Sequence, residues 1–563
     1  MKYYHFFCFL GFFLCFEINS QPTTIEVDMG NRIEAMKPVW AWFGYDEPNY
    51  TYMKDGVKLL EELQKMSYTP VFVRTHNLLT SGDGTPALKW GSTNAYTEDS
   101  KGNPVYNWTI IDKIMDTYTS LGMKPLVQIG FMPEALSSKP QPYRHYWTPN
   151  TPYNEIYRGW TQPPKDYNKW RELVYQWVKH SVERYGQQEV ESWYWEVWNE
   201  PDFGYWSGTL EEYCKLYDYA ADGLKKALPT ARIGGPHTTT DPNNPNDADA
   251  FLRKFLTHAI EGINYATGQK GSPLDYIGFH AKGAPQVVNQ HIRMNIGAQL
   301  RNMSRGFEAV ADFPTLKHLP VIIGESDPEG CAACSEDYHP QNAYRNGTMY
   351  SSYTAASFAR KYELAHQWGV NFIGAVSWSF EFEDQKWFAG FRDLATNGVN
   401  KPVLNVFRMF GMMKGYLVHT TSSSHFSAKD IVQNSVRETA DINALASISD
   451  IERTAAVMIW HYHDDDLPAE PAQVILRLTN IPVTAPKVLL SHYRIDSKFS
   501  NSYEVWKTMD RPQHPSKEQI EILERSGQLQ MYTSPEYINN TNNRLSVEFE
   551  LPRQGVSLVK FEW

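Results

Sequence analysis

Cysteine is scarce, with five residues in a chain of 563. Two of them, Cys8 and Cys15, fall in an apolar N-terminal stretch, which leaves Cys214, Cys331 and Cys334. The pair in Cys331-Ala332-Ala333-Cys334 raises zinc or thiol-redox chemistry. Zinc needs about four ligands, and no second Cys/His pair of suitable spacing lies nearby. In an exported chain a local disulfide is the expectation, with free thiols the alternative. Cys214 sits in an expected helix and reads as a buried thiol. Runs of basic residues are also lacking: 53 Lys+Arg stand against 64 Asp+Glu, a net charge of -11. Nucleic acid and anionic membrane surfaces are therefore poor partners. Beyond the N-terminus no apolar run is long enough to span a bilayer.

What is present begins with a leader. Met1-Lys2-Tyr3-Tyr4-His5 precedes an apolar stretch to Phe16, followed by a small residue, Ser20, before Gln21. This reads as a cleavable signal peptide over residues 1–20 and a secreted or periplasmic protein. Leu14 before Cys15 disfavours lipoprotein anchoring. From about residue 38 to 413, short apolar runs alternate with amphipathic stretches. The runs cover 39–45, 71–77, 125–133, 193–201, 232–237, 275–283, 321–327 and 374–380. The helical stretches include 55–66, 110–121, 166–185, 210–228 and 343–368. Eight strands each followed by a helix fit a (β/α)8 TIM barrel. After residue 414 the runs 455–462, 474–478, 488–493, 545–551 and 557–561 are β-branched or alternating, separated by turn residues. They predict an all-β sandwich domain over 414–563, which strand-like residues within 21–37 are expected to join.

Aromatic residues make up 14% of the chain, with 18 Trp and 34 Tyr. They concentrate in Trp193-Tyr194-Trp195-Glu196-Val197-Trp198-Asn199-Glu200-Pro201. Pro201 cannot donate to a continuing central ladder, so the strand must end there. Glu200 is left at a strand end, where barrel enzymes keep their chemistry. A carboxylic acid among rings that exclude water has its pKa raised and can protonate a leaving group. Val321-Ile322-Ile323-Gly324-Glu325-Ser326-Asp327-Pro328 repeats the construction. Two carboxylates on two strand ends of one barrel can flank a sugar bond; the alternative is a pair of ordinary loop glutamates.

With both in place the chain resembles glycoside hydrolase family 39, which contains β-xylosidases and α-L-iduronidases on a barrel plus a β-sandwich. The likeness rests on Tyr106-Asn107-Trp108, on Phe131-Met132-Pro133-Glu134-Ala135-Leu136, and on Pro163-Pro164-Lys165-Asp166-Tyr167 and Arg184-Tyr185-Gly186 leading into Asn199-Glu200-Pro201. Tyr493-Arg494-Ile495-Asp496 and Ser502-Tyr503-Glu504-Val505-Trp506-Lys507 extend it into the sandwich. The resemblance implies a retaining enzyme with Glu200 as acid/base and Glu325 as nucleophile, and Asn199 beside Glu200 on a sugar hydroxyl. His76 and His280 are expected on sugar hydroxyls or as satisfied core histidines, and Arg74 as a brace for the nucleophile. Gly324-Glu325-Ser326-Asp327-Pro328 and His280-Ala281-Lys282-Gly283-Ala284 resemble the iduronidase pattern. Lys282 then pairs either with a substrate uronate or with Glu325 or Asp327. Arg392 is a second candidate anion contact. The insertion over 329–346 belongs to neither subfamily and is expected to shape the pocket rim.

The resulting expectation is a retaining, exo-acting glycosidase that acts on an oligo- or polysaccharide and needs no metal or cofactor. Its terminal sugar is uronic, or neutral (xylose, arabinose or galactose). The alternatives of another class are a catalytically inactive carbohydrate-binding protein and a thiol oxidoreductase built on Cys331 and Cys334.

Overall fold

The computed structural model describes residues 21–143, 148, 158–240, 248–378, 380–482 and 486–563. The leader expected over residues 1–20 therefore lies outside the described residues. Strand β1 (Thr23–Ala35) is followed by β2 (Trp42–Tyr45), β3 (Phe72–Thr75), β4 (Lys124–Ile129), β5 (Tyr194–Val197), β6 (Arg232–Thr238), β7 (Tyr276–His280), β8 (Pro320–Glu325), β9 (Asn371–Ala375) and β10 (Ser377–Trp378). Helices α1 (Lys54–Met66), α2 (Thr109–Ser120), α3 (Tyr167–Tyr185), α4 (Leu210–Ala227), α5 (Ala248–Glu261), α6 (Ile296–Ala311), α7 (Thr348–Trp368) and α8 (Pro402–Gly411) alternate with them.

Strands β2 to β9 pair in parallel, each with its neighbour in sequence. The last apolar run is split at Val376. Its first part, β9, pairs with β8, and its second part, β10, pairs with β2 and closes the ring. This is a TIM barrel. Alternation along each strand explains its packing. Trp42, Leu126, Tyr194, Tyr276, Ile322 and Trp378 fill one layer inside the ring. Phe43, Val73, Val127, Trp195, Ile233, Ile277 and Ile323 face the helices. The helices begin where the sequence offers caps: Asp166 accepts from the amides of Asn168 and Lys169 at α3, and Thr209 and Glu212 form a capping box at α4.

The second sheet contains β11 (Tyr416–Ser422), β12 (Asp441–Ser449), β13 (Thr454–Tyr462), β14 (Ala472–Thr479), β15 (Lys487–Ile495), β16 (Gln530–Asn539), β17 (Leu545–Leu551) and β18 (Val556–Glu562). Its order is β16-β15-β18-β13-β12-β11-β1-β14-β17. Every pairing is antiparallel except β1 with β14. The sheet wraps on itself as a sandwich, because Ile25, Val27, Leu476, Val488, Val457 and Phe561 meet in one core. Strand β13 is buried at every position. Ala455, Val457 and Ile459 point into the sandwich core, while Ala456, Met458, Trp460 and Tyr462 belong to the barrel's core. The two faces of β13 thus serve two cores, and the sandwich packs on the barrel through α7, where Tyr353 meets Tyr462 and Arg360 lies over Trp460.

Candidate active site

The site is built on strand ends. Inside the ring, one layer above the aromatic plug, lie Arg74 on β3, Glu196 on β5 and His237 on β6, all fully buried. His237 fits because its neighbours are glycines. A Cβ on Gly278 or Gly324 would approach the His237 ring to 2.3 or 2.1 Å. Arg74 Nε donates to Glu196 Oε1 and Oε2 at 3.0 and 2.9 Å, and His237 Nε2 lies 2.8 Å from Glu196 Oε2. Burial pushes the Glu196 carboxyl up, but Arg74 and His237 outweigh it and hold it at about 2. Sequence reasoning passed over Glu196 and His237. The available signal was a charged residue at an inward position of an otherwise apolar strand.

Arg74 reaches onward from this base. Its Nη1 donates to Glu325 Oε1 at 3.0 Å and its Nη2 to Asn199 Oδ1 at 2.9 Å. The indole of Trp378 lies 4.9 Å from its guanidinium carbon. Asn199 is thereby fixed with its oxygen toward Arg74, which directs its NH2 elsewhere. His76 Nδ1 lies 2.8 Å from Asp46 Oδ1, and Nε2 lies 3.9 Å from Glu325 Oε1. Lys89 holds the other Asp46 oxygen at 3.2 Å. Asp46 and Lys89 are further residues that no sequence motif marked.

Glu200 follows β5 with φ 43°, between Trp198 at 72° and the proline. Left-handed backbone at two such residues costs roughly 1–2 kcal/mol each, and strain of this kind gathers where geometry is imposed by a site. The Glu200 amide donates to His237 O at 3.1 Å, which ties this turn to β6. His280 Nδ1 lies 2.8 Å from Glu200 Oε1 and 3.7 Å from Glu325 Oε1. Lys282 Nζ sits between the carboxylates, 3.2 Å from Glu200 Oε1 and in direct contact with Glu325 Oε2. Ligand atoms of Glu200, His280 and Glu325 all fall within 4.8 Å of one another. That spacing would suit a metal ion, but the Lys282 ammonium already occupies the cationic position between the carboxylates.

The two glutamates are both buried, at 5% and 2% exposure, yet are polarised in opposite senses. Burial raises Glu200, the negative charge of Glu325 adds to this, and Lys282 only partly offsets them, so its pKa lies above the ordinary range. Burial also acts upward on Glu325, but Lys282, His280, Arg74 and His76 prevail and hold it well below the ordinary range. Desolvation in turn lowers the pKa of the His76 and His280 rings. Asp202, which accepts from the Thr239 amide at 3.1 Å, is pushed up to about 7 by burial.

The remaining candidates lie beside this pair. Arg392 is fully buried and does not present its charge to solvent. Its Nε donates to Trp378 O at 2.9 Å and its Nη1 contacts Glu329 Oε1, while Asp327 Oδ2 lies 3.8 Å from Nη2. Glu329 comes from the inserted segment and is shared with Arg345 Nη2. Arg345 Nη1 also donates to the carbonyls of Ala332, Cys334 and Gly390. Cys331 and Cys334 are joined by a disulfide with Cα atoms 5.5 Å apart. Cys214 on α4 is a buried free thiol.

A closed (β/α)8 ring, a wrapped β-sandwich and two buried carboxylates facing each other at the C-terminal rim define a barrel glycosidase. The profile of Glycosyl hydrolases family 39 matches residues 23–538, and the chain belongs to that family. It is 25% identical over 530 residues to a β-xylosidase of Geobacillus stearothermophilus, covering 90% of this chain and 88% of that one. It is 24% identical over 527 residues to the α-L-iduronidase of Mus musculus, covering 89% of this chain and 75% of that one. Among solved structures it resembles a bacterial orthologue of human α-L-iduronidase, with a TM-score of 0.74 at 18% identity over 96% of this chain and 84% of that one. A monomeric β-xylosidase from Caulobacter crescentus CB15 matches with a TM-score of 0.72 at 20% identity, over 96% and 99%. Among the described residues, no helix is long and apolar enough to cross a membrane.

Proposed function

We propose that this glycosidase is a retaining, exo-acting enzyme in which Glu325 is the nucleophile and Glu200 the general acid/base. The reading is carried by the opposite polarisation of two buried carboxylates whose oxygens come within 4.8 Å. A retaining mechanism uses carboxyl groups about 5–5.5 Å apart, too close for a water to stand between nucleophile and sugar. Ionised Glu325 attacks the anomeric carbon as Glu200 gives its proton to the departing oxygen, which leaves a glycosyl ester on Glu325. Glu200, now a carboxylate, takes a proton from water as that water attacks the same carbon and frees Glu325. Arg74 and Lys282 keep Glu325 ionised, and Asn199, His76 and His280 contact sugar hydroxyls.

The terminal sugar is a uronic acid in this reading, held by Lys282, whose ammonium lies beside both carboxylates. A neutral terminal sugar is the second reading. It is favoured by Arg392, whose guanidinium is already engaged by Glu329 of the chain itself. The test of the mechanism is Glu325→Gly with azide: a glycosyl azide of inverted configuration is expected. A product keeping the substrate's configuration would remove Glu325 from the nucleophile's role.

A further inference from the structure

The catalytic pair does not close the site. A cleft of about 1280 Å³ runs from Glu200 past the ends of β7 and the start of α6 to residues 433–437 at the base of the sandwich. Glu200 lines this cleft and Glu325 does not. A general acid faces the departing oxygen, so the cleft continues on the leaving-group side of the bond. Among the described residues, its charged lining consists of Arg158, Lys282, Arg301 and Arg437 with Glu200 as the single carboxyl. Lys282 is paired with Glu200 and Glu325, so the positive excess of the described lining rests on Arg301 and Arg437, a local reversal of sign in a chain of net charge -11. A groove lined by one sign of charge between low-dielectric walls concentrates counter-charge.

Two of these cations come from different domains and face the same groove. Arg301 on α6 is exposed and its Nη1 donates to Val432 O at 2.6 Å. Arg437 has a side chain 48% exposed, and its Nη2 donates to Asn295 Oδ1 at 2.8 Å. A neutral oxygen orients each guanidinium, and a guanidinium has five donors. The nearest carboxylate among the described residues, Asp464, lies 3.9 Å from Arg437 Nε through Oδ2, which the Ser435 hydroxyl also contacts, while its Oδ1 accepts from the Tyr462 hydroxyl at 2.7 Å and the Ile296 amide at 3.1 Å. It therefore offsets the Arg437 charge only in part.

We propose that this cleft binds the leaving-group side of an acidic glycan, one carrying carboxylate or sulfate groups, and that Arg301 and Arg437 are the specificity-determining residues that read those groups. The proposal rests on Glu200 being the acid, and it assigns to the sandwich a share of substrate binding. The experiment is affinity electrophoresis of the full-length Glu325→Gln protein through gels containing polygalacturonate, chondroitin sulfate or neutral arabinoxylan. Retardation in the polygalacturonate gel marks carboxylates, and retardation in the chondroitin sulfate gel marks sulfates. Either should exceed that in arabinoxylan and collapse at ~1 M salt, where the Debye length is about 3 Å. R301Q/R437Q should weaken it about tenfold or more, and R301K/R437K should recover most of it. No retardation in either acidic gel, equal retardation in arabinoxylan, or retention unchanged in R301Q/R437Q would each overturn the proposal. Gel retention does not depend on which carboxylate attacks, so these outcomes are separate from that of the azide experiment.

Discussion

The ends of β5 and β8 were written by the sequence in nearly the same way, as an apolar run, a glutamate and a proline, yet they carry opposite electrostatics. Glu325 is surrounded by Arg74, Lys282, His280 and His76. Glu200 touches Lys282 and His280 of these, feels Arg74 without bonding to it, and has buried Asp202 and Glu325 as acidic neighbours. The local motif therefore places a carboxyl at the rim but does not decide its protonation. That is decided by the cations around each carboxyl: Lys282 lies closer to Glu325 than to Glu200, and Arg74 on β3, anchored from below by Glu196, donates to Glu325 and Asn199. Division of labour between two identical side chains is a property of the ring as a whole.

The contrast can be broken outright by Glu325→Gln, which should remove nearly all turnover at a smaller cost in stability than Arg74→Gln, because Arg74 keeps Glu196 and Lys282 keeps Glu200 as partners. A variant that keeps substantial kcat would separate Glu325 from the chemistry. Arg74→Gln strands Glu196 and Glu325 together, and should cost about 3–5 kcal/mol of stability, the usual consequence of removing one partner from a buried ion pair, along with most of the activity. Denaturant unfolding and kinetics on the same preparation check both. Glu200→Ala should slow substrates with poor leaving groups by ~10²–10⁴-fold and activated aryl glycosides much less in the first step. Equal losses on the two substrate types would assign the proton to another group.

Lys282→Ala sharpens the comparison rather than destroying it. The wild-type rate should fall at low pH as Glu325 gains a proton and at high pH as Glu200 loses one. Lys282 lowers both pKa values, so its removal should move both limbs of the pH–rate profile upward. A profile that keeps its limbs while only a uronic substrate binds more weakly would make Lys282 a reader of substrate alone. The smallest effect is expected from reducing the Cys331–Cys334 disulfide. Arg345 already holds the carbonyls of Cys331 and Cys334, so activity should persist with a modest loss of thermal stability, read by differential scanning fluorimetry with and without reductant.

The barrel was legible because its strands are buried on both faces and therefore appear as short, nearly continuous apolar runs with clear stops. The last run shows the limit: nothing in it announces that Val376 interrupts the ladder so that the two halves bond to different neighbours. In the sandwich, β12 and β16 left little trace. Strand β12 is rich in Ala, Asn, Ser and Asp, which are poor strand formers, and β16 is an edge strand with mostly exposed polar residues. Glu200, Glu325, Asn199, His280, Lys282, Arg74 and His76 were named from motifs, and the structure brings them to one rim. Asp46, Lys89, Glu196 and His237 were not, because their meaning lies in partners far along the chain. The Arg392–Glu329 contact was unreadable for the same reason. It needs an inserted residue at 329 to meet a loop at 392, and Arg392 alone suggested a charge available to substrate.

Strand β1 is the first described segment of the chain and the seventh member of a sheet whose other strands are made last. It pairs with β11 and β14, and the Thr24 amide bonds to a side chain 399 residues away. During synthesis it must wait, unpaired, while the whole barrel emerges behind it, and contacts of such separation form late. Its first neighbour becomes available only with residues 416–422 and its second only with residues 472–479, so a nascent chain that stalls between them carries β1 with one strand edge open.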